Sequence, residues 1–235
     1  MRDLIVFGED WGGLPSSTQH LVGHLARSRK VVWVNSIGLR RPTLSWRDLK
    51  RAWNKLTATS HTVATTTSRR PNTDFHLVHP RTLPVPRSRP GRRLAARLLK
   101  SQIQPVVQRA GLQDPVVWAS LPTAVDMAGC LGESALVYYC GDDFSALAGV
   151  DHDIVSKREQ ELAARADLVL AASEKLAQRF SPDTTRLLRH GVDYDLFARA
   201  AKRAADLPDD GRPIAGFDGS ISDGMDLELL QKTIA

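Results

Sequence analysis

Short apolar runs alternate with longer amphipathic segments along most of this chain. The first run, "DLIVFG" (3–8), is apolar and closed by glycine, which predicts a buried strand. "SSTQHLVGHLAR" (16–27) places its apolar residues on one helical face behind a serine that can cap it, and "KVVWVNS" (30–36) predicts a second strand. A strand–helix–strand unit with short links is typical of a parallel sheet.

The same alternation continues to about residue 197. Further strands are predicted at 74–80, 115–120, 135–140, 167–173 and 184–193, and helices at 92–111, 155–166 and 173–180. We therefore predict an α/β fold with a Rossmann-like, doubly wound and mostly parallel sheet.

The pattern changes after this sheet. Residues 198–211 are helix-prone and end in "DLPDDG", which predicts a linker, and "RPIAGFDGSISD" (212–223) then begins a new strand and turn. One strand and one helix cannot bury a core alone. We expect a first domain over 1–197, a linker over 198–211 and an incomplete second Rossmann-like domain over 212–235.

Composition and charge narrow the class of protein. The hydrophobic fraction of 42% suffices for a core, and two cysteines form neither a disulfide framework nor a zinc pattern, so we expect a reducing, cytoplasmic compartment. No apolar run approaches the roughly 20 residues of a membrane span. Residues 1–110 hold 20 Lys/Arg and 5 Asp/Glu, whereas 111–235 hold 12 and 21. The basic first half favours an anionic partner, and a plain solvated surface is the alternative.

The loop "VFGEDWGGLPSSTQHL" (6–21) joins the first strand to the first helix. It has neither a G-x-G-x-x-G fingerprint nor a P-loop lysine. Its position is nevertheless the ligand-binding edge of an open α/β sheet, where backbone N–H groups and the helix dipole favour an anion. The alternative is a turn with an N-cap and no ligand.

Two adjacent carboxylates, Asp142 and Asp143, follow the strand predicted at 135–140. One of them could accept a hydroxyl proton as a general base or hold sugar hydroxyls. A surface Asx turn is the competing interpretation.

Residues 43–56, "TLSWRDLKRAWNKL", predict a helix with tryptophans on one face and cations on the others. The membrane-surface candidates on it are Trp46, Arg47, Lys50, Arg51 and Trp53. This pattern fits an interfacial membrane helix, and a tryptophan stripe packed on the core is the alternative.

His20 and His24 share a helical face but lack the further ligands of a zinc site, so no metal is predicted.

These residues together resemble the GT-B glycosyltransferases. "ADLVLAASEKLAQRF", "TRLLRHGVDYDLF" and "RPIAGFDGSISD" are similar to the region where a GT-B enzyme ends its first domain and begins its second, and "GVDYDLF" is similar to a segment of the GT4-like group. "VYYCGDDFSAL" and "DWGGLPSSTQHL…VVWVNSIGLRRP" resemble bacterial members that act in surface polysaccharide synthesis. The resemblance covers most of residues 1–230.

The resemblance implies a fold of two Rossmann-like domains, an acceptor-side domain followed by one that binds a nucleotide sugar, with transfer that needs no metal or other cofactor. The residues it implies are Gly12, Gly13, Gly219 and Ser220 for donor phosphates, Asp10, Ser17 and His20 for the acceptor, and Asp142 and Asp143 for catalysis. The implied acceptor is a saccharide or a lipid-linked sugar, at the inner face of the plasma membrane.

The chain departs from that family in having only the start of the donor domain, so we expect this portion alone to be inactive. The alternative function is a non-catalytic module that binds anionic polysaccharide, lipid or nucleic acid. A dehydrogenase or epimerase is disfavoured, because the chain has no G-x-G-x-x-G and no Tyr-x-x-x-Lys pair.

Overall fold

The computed structural model describes residues 1–37, 74–82, 88–145, 151–208, 210–211, 214, 216 and 226–234. Within them lies one sheet of seven strands in which every neighbouring pair is parallel. The strands are β1 (Leu4–Phe7), β2 (Val31–Val34), β3 (Phe75–Val78), β4 (Val116–Ala119), β5 (Ala135–Cys140), β6 (Leu168–Ala171) and β7 (Thr185–Leu187).

Among the described residues, helices lie between the strands along the sequence and after the last one. They are α1 (Ser17–Leu25), α2 (Arg89–Ala110), α3 (His152–Arg165), α4 (Glu174–Ala177), α5 (Tyr194–Phe197) and α6 (Leu227–Ile234), with a 3₁₀ helix over Pro122–Met127. Ser16 caps α1 by accepting from the Gln19 N–H, and Gly111 ends α2 in the left-handed conformation at φ 58°. The helix α2 runs through Pro105 without ending there.

The strand order is β3-β2-β1-β4-β5-β6-β7. From β1 in the middle, β2 and β3 extend the sheet to one edge. The chain then crosses to the other side of β1, where β4 to β7 extend the sheet to the opposite edge, which is the doubly wound Rossmann order. The predicted fold class is therefore confirmed. In such sheets the ligand-binding crevice lies beyond the carboxyl ends of the strands where the order reverses, here between β1 and β4.

Alternate residues of each strand feed two separate cores. One face carries Ile5, Phe7 and Tyr138 against α2, α3 and the 3₁₀ helix. The opposite face carries Val6, Trp33 and Tyr139, with Val22 of α1 in the same cluster. The sequence-adjacent tyrosines of β5 thus serve opposite sides of the sheet.

The chain divides into two compact units, residues 1–190 and 191–235. The first holds the whole sheet, and the second holds α5 and α6. The domain boundary expected at residue 197 and the donor-domain start at 212 stay predictions. No helix in the described ranges has both the length and the apolar character to cross a bilayer.

Candidate functional site

The β1–α1 loop, residues 8–16, is tied to the carboxyl ends of the neighbouring strands. The Trp11 N–H donates to Asn35 Oδ1 over 3.1 Å, and the Ser36 N–H and hydroxyl donate to Asp10 Oδ1 over 3.1 and 2.9 Å. Asn35 and Ser36 directly follow β2. The loop is therefore fixed to the end of β2.

An aromatic cluster beneath the loop explains its tryptophan. The rings of Trp11 and Trp33 meet edge to face at 4.8 Å between centroids, and Trp11 lies 4.5 Å from Phe75. Gly8 leaves room for this packing, because a Cβ there would stand 2.6 Å from Cζ2 of Trp33. The Trp33 indole N–H in turn donates to the Glu9 carbonyl.

Gly12 and Gly13 stabilise the conformation of the β1–α1 loop. Gly12 adopts φ 80°, a conformation that favours glycine, and its N–H donates to Gln19 Oε1 over 3.0 Å. The Gly13 N–H donates to the Asp10 carbonyl, and a Cβ on Gly13 would lie 3.0 Å from that oxygen. Both amides therefore donate to groups inside the loop. To bind a donor phosphate, as predicted, they would have to break these hydrogen bonds and donate to the phosphate instead.

A hydroxyl–imidazole cluster stands at the first residue of α1. Ser17 Oγ lies 2.6 Å from Nδ1 of His190, and the Tyr139 hydroxyl lies 3.3 Å from the same nitrogen. Ser17 lies in the helix after β1, Tyr139 lies near the end of β5 and His190 follows β7, so the side chains of three separate segments meet here. When Nδ1 carries no proton, its one lone pair can accept from the Ser17 hydroxyl, the nearer of the two.

Two carboxylates, Glu9 and Asp142, act electrostatically on this cluster. Burial raises the pKa of Tyr139 above its usual value, and the charges of Asp142 and Glu9 add to that effect while the bond with Ser17 opposes it. Burial also raises the pKa of Glu9, again with a contribution from Asp142. The Ser16 hydroxyl donates to Glu9. Glu9 follows β1 and Asp142 follows β5, so both carboxylates stand at the carboxyl edge of the sheet.

Asp143 is turned to a different set of partners. The Ser145 N–H and hydroxyl both donate to its Oδ1, which is the Asx turn considered above, and Arg179 donates to the same oxygen over 2.9 Å. The hydrogen bonds from Ser145 lower the pKa of Asp143. The second arm of Arg179 binds Glu159, a carboxylate that is only 2% exposed.

Buried polar groups form the floor between β1 and β4. The Thr18 hydroxyl donates to Ser120 Oγ over 3.0 Å, and the Trp118 indole N–H donates to the same oxygen over 3.0 Å. Ser120 directly follows β4. These bonds join α1 to β4 across the switch point of the sheet.

The predicted residues thus fall into groups. Ser17 belongs to the His190 cluster, whereas Asp10 is bound to Ser36 at the end of β2. Asp142 follows β5, Asp143 belongs to the Arg179 network, and His20 is exposed one turn along α1. The predictions for Trp46, Arg47, Lys50, Arg51, Trp53, Gly219 and Ser220 lie outside the described residues. The described residues hold no group of three or more His, Cys, Asp or Glu side chains that could bind a metal.

Sequence reasoning did not select Glu9, Tyr139 or His190 as site residues. A signal was available for all three, because each lies near the carboxyl end of a predicted strand. What it could not supply was the pairing of Ser17 with a histidine 173 positions away.

Comparison with known proteins gives a likeness to solved structures alone. No family model matches the chain, and no curated protein matches it. Two structures of Anabaena Alr3699/HepE, one with UDP-glucose and one with UDP and glucose, each match at a TM-score of 0.49 and 14% identity. The match covers 84% of this chain and 46% of the Anabaena chain, so this chain spans about half the length of that protein.

Proposed function

We propose that this chain supplies the acceptor-side portion of a glycosyltransferase that moves a sugar from a nucleotide sugar to a hydroxyl of a saccharide or lipid-linked acceptor. The observation that carries the proposal is the Ser17–His190–Tyr139 cluster at the carboxyl edge of a Rossmann-like sheet. Hydroxyls, an imidazole and carboxylates on one edge suit a polyhydroxyl ligand. The sequence resemblance to GT-B enzymes supplies the reaction class.

The cluster can take up the proton that the reaction releases. A bond forms between the acceptor oxygen and the anomeric carbon, while the bond from that carbon to the nucleoside diphosphate breaks. The acceptor hydroxyl donates its proton to Ser17 Oγ, which passes its own proton to His190 Nδ1 over 2.6 Å. Burial raises the pKa of Tyr139, and the charge of Asp142 adds to that effect, so Tyr139 stays protonated while the proton passes from Ser17 to His190.

Asp143 has a positioning role in this proposal, since its Oδ1 already accepts from Ser145 and Arg179. Asp10 holds the loop to Ser36 and offers its remaining oxygen to the acceptor. His20 is kept as a more distant acceptor contact. Donor-phosphate binding by Gly219 and Ser220, a metal-free reaction and association of residues 43–56 with the inner membrane surface complete the proposal.

The test is a transfer assay on the protein in its natural full length. The donors are UDP-glucose, UDP-galactose, UDP-N-acetylglucosamine and GDP-mannose, each with polyprenyl-diphosphate-linked sugar as acceptor, and the readout is release of nucleoside diphosphate together with labelled product. We expect Ser17→Ala and His190→Asn each to lower the rate at least about 100-fold, the size of a general-base contribution. Arg189→Gln, next to His190 but paired with Glu174, is the matched control and should keep its activity.

Two outcomes would contradict the proposal. If no donor releases diphosphate or yields product, the chain is not part of a glycosyltransferase. The non-catalytic binding module, which the basic first half favours, then becomes the better interpretation. If transfer occurs but the Ser17 and His190 variants match the control, the proton passes elsewhere and the assigned cluster is wrong.

The glycines are a poor place to test the function. Valine at Gly12 would meet the unfavourable φ of 80°, and valine at Gly13 would crowd the Asp10 carbonyl. Loss of activity in either variant would therefore report a damaged loop as readily as a lost ligand contact. Ser17→Ala avoids this difficulty, because Ser16 supplies the helix cap.

A further inference from the structure

The helix α2 has an unusual distribution of charge. Its 22 residues include six basic side chains and no acidic one. The buried side is formed by Ala95, Leu99, Ile103 and Val107. The remaining sides of the helix lie at the surface of the first unit, and most of the cations lie there.

Four of these cations form a row along the helix. Arg89, Arg93 and Arg97 recur every four residues and Lys100 follows three later, so they lie on neighbouring turns of one side. All four are exposed, and none forms an ion pair with another residue in the part of the chain that the structure describes. Their charge is therefore presented to solvent.

Arg92, on the same helix, is neutralised by carboxylates. It turns inward, where its guanidinium binds Asp126 over 2.6 Å and Glu161 over 2.5 Å. The bond with Glu161 raises the pKa of Arg92 and lowers the pKa of that carboxyl. The four cations of the outer row, by contrast, have no such carboxylate partner among the described residues.

Two leucines accompany the row. Leu94 is 50% exposed and Leu98 is 40% exposed, one turn apart, and Leu94 stands three residues before Arg97. A single exposed leucine is ordinary on a protein surface. Two on adjacent turns beside an exposed basic row give the surface an apolar component as well as a positive one.

A groove opens beside the first turns of the same helix. Its volume is about 400 Å³, and its lining includes Arg89, Arg92, Arg93 and Arg165, with Asp126 as its acidic member. The Arg165 guanidinium is held by the carbonyls of Val125 and Ala128. The lining is positive, and its size suits a phosphate-bearing headgroup.

We infer that the exposed side of α2 is a docking surface for an anionic lipid bilayer. The basic row complements a negatively charged leaflet, and Leu94 and Leu98 can enter the boundary between headgroups and acyl chains. A nucleic acid or an anionic polysaccharide would use the charges but offers the leucines no apolar phase. The surface is distinct from residues 43–56, and this inference does not depend on the proposed glycosyltransferase activity.

The test is co-sedimentation of the chain with vesicles of phosphatidylcholine alone or with phosphatidylglycerol added. We expect binding to the anionic vesicles only, weakening as salt is raised. The triple variant Arg93→Gln, Arg97→Gln, Lys100→Gln should lose about 100-fold in partition coefficient, at roughly fivefold per cation. Leu94→Ser with Leu98→Ser should weaken the binding that survives at high salt.

The matched control removes the same charge at the β7 end of the sheet. Lys175→Gln, Arg186→Gln and Arg189→Gln are three exposed cations, so this variant should lose far less than the α2 variant. Circular dichroism of each variant checks that the fold is retained. Equal loss in the two triple variants would overturn the inference, and so would undiminished vesicle binding by the α2 variant. Absence of wild-type binding to anionic vesicles, with or without binding to duplex DNA or heparin, would also overturn it.

Discussion

The ion pair between Glu159 and Arg179 gives the sharpest prediction about stability. Glu159 is 2% exposed and accepts from the Tyr138 hydroxyl over 2.7 Å, while the Arg179 side chain is 30% exposed. Arg179→Met would leave the buried carboxylate without its cation. Removal of one partner from a buried pair costs about 3–5 kcal/mol, and the partial exposure of Arg179 places this case near 3 kcal/mol.

The chain contains a matched control on its surface. Arg189 and Glu174 lie 2.7 Å apart, but their side chains are 68% and 71% exposed. Arg189→Met makes the same chemical change in solvent, where an ion pair contributes at most about 1 kcal/mol. Arg179 also binds the more exposed Asp143, a bond that adds about as much as a surface pair, so any larger excess over the control reports the burial of Glu159.

The free energy of unfolding is measured by urea denaturation with tryptophan fluorescence and circular dichroism. We expect Glu159→Gln to cost about 1–2 kcal/mol, because the amide oxygen still accepts from Tyr138. The double variant with Arg179→Met should cost less than the sum of the two single variants, since no buried charge is left unpaired. A cost below 1 kcal/mol for Arg179→Met, or strict additivity of the two changes, would refute this account of the pair.

Three further predictions concern single positions. Gly8→Ala should cost about 1–3 kcal/mol in urea denaturation, because its Cβ would stand 2.6 Å from the Trp33 ring, whereas Gly191→Ala has nothing within 4 Å and should be neutral. Burial raises the pKa of Cys140 to about 12, so iodoacetamide at pH 8 should label half-buried Cys130 and spare Cys140 in peptide mass spectra; equal labelling would contradict this. Ser145→Ala should raise the pKa of Asp143 in a carboxyl NMR titration, since Ser145 lowers it. Because that pKa is depressed in the folded state, the carboxylate stabilises the fold above its unfolded-state pKa and loses this effect as pH falls through the folded-state value; an unchanged titration would contradict the role of Ser145.

The sheet could be predicted because its strands are encoded locally. "LIVF", "VVWV" and "VVWA" are uninterrupted apolar runs, as strands covered on both faces require, and each is followed within a few residues by glycine, serine or asparagine. The Ser16 cap was also predictable, since a hydroxyl before an amphipathic run marks a helix start. The 3₁₀ helix over Pro122–Met127 was missed, because its six residues show no helical periodicity and nearly all are buried.

The site was less predictable, because its contacts join distant parts of the chain. The sequence indicates that Gly12 and Gly13 form a tight turn but not that Gln19 and the Asp10 carbonyl engage their amides. It places Asp142 and Asp143 after a strand but does not reveal that Arg179 and Ser145 donate hydrogen bonds to Asp143. It places His190 near a strand end but does not reveal that this histidine contacts Ser17 at the start of α1.

The alternation of side chains along β5 connects stability to the site. Tyr138 points to the face that buries Glu159, whereas Tyr139 points to the opposite face and reaches His190. The division continues past the strand, where Asp143 joins Arg179 and Asp142 influences Glu9 and Tyr139. The Glu159–Arg179 pair therefore supports Asp143 directly, while the Ser17–His190 contact is supported from the other side of the sheet. It follows that Arg179→Met should release Asp143 and lower stability without separating Ser17 from His190.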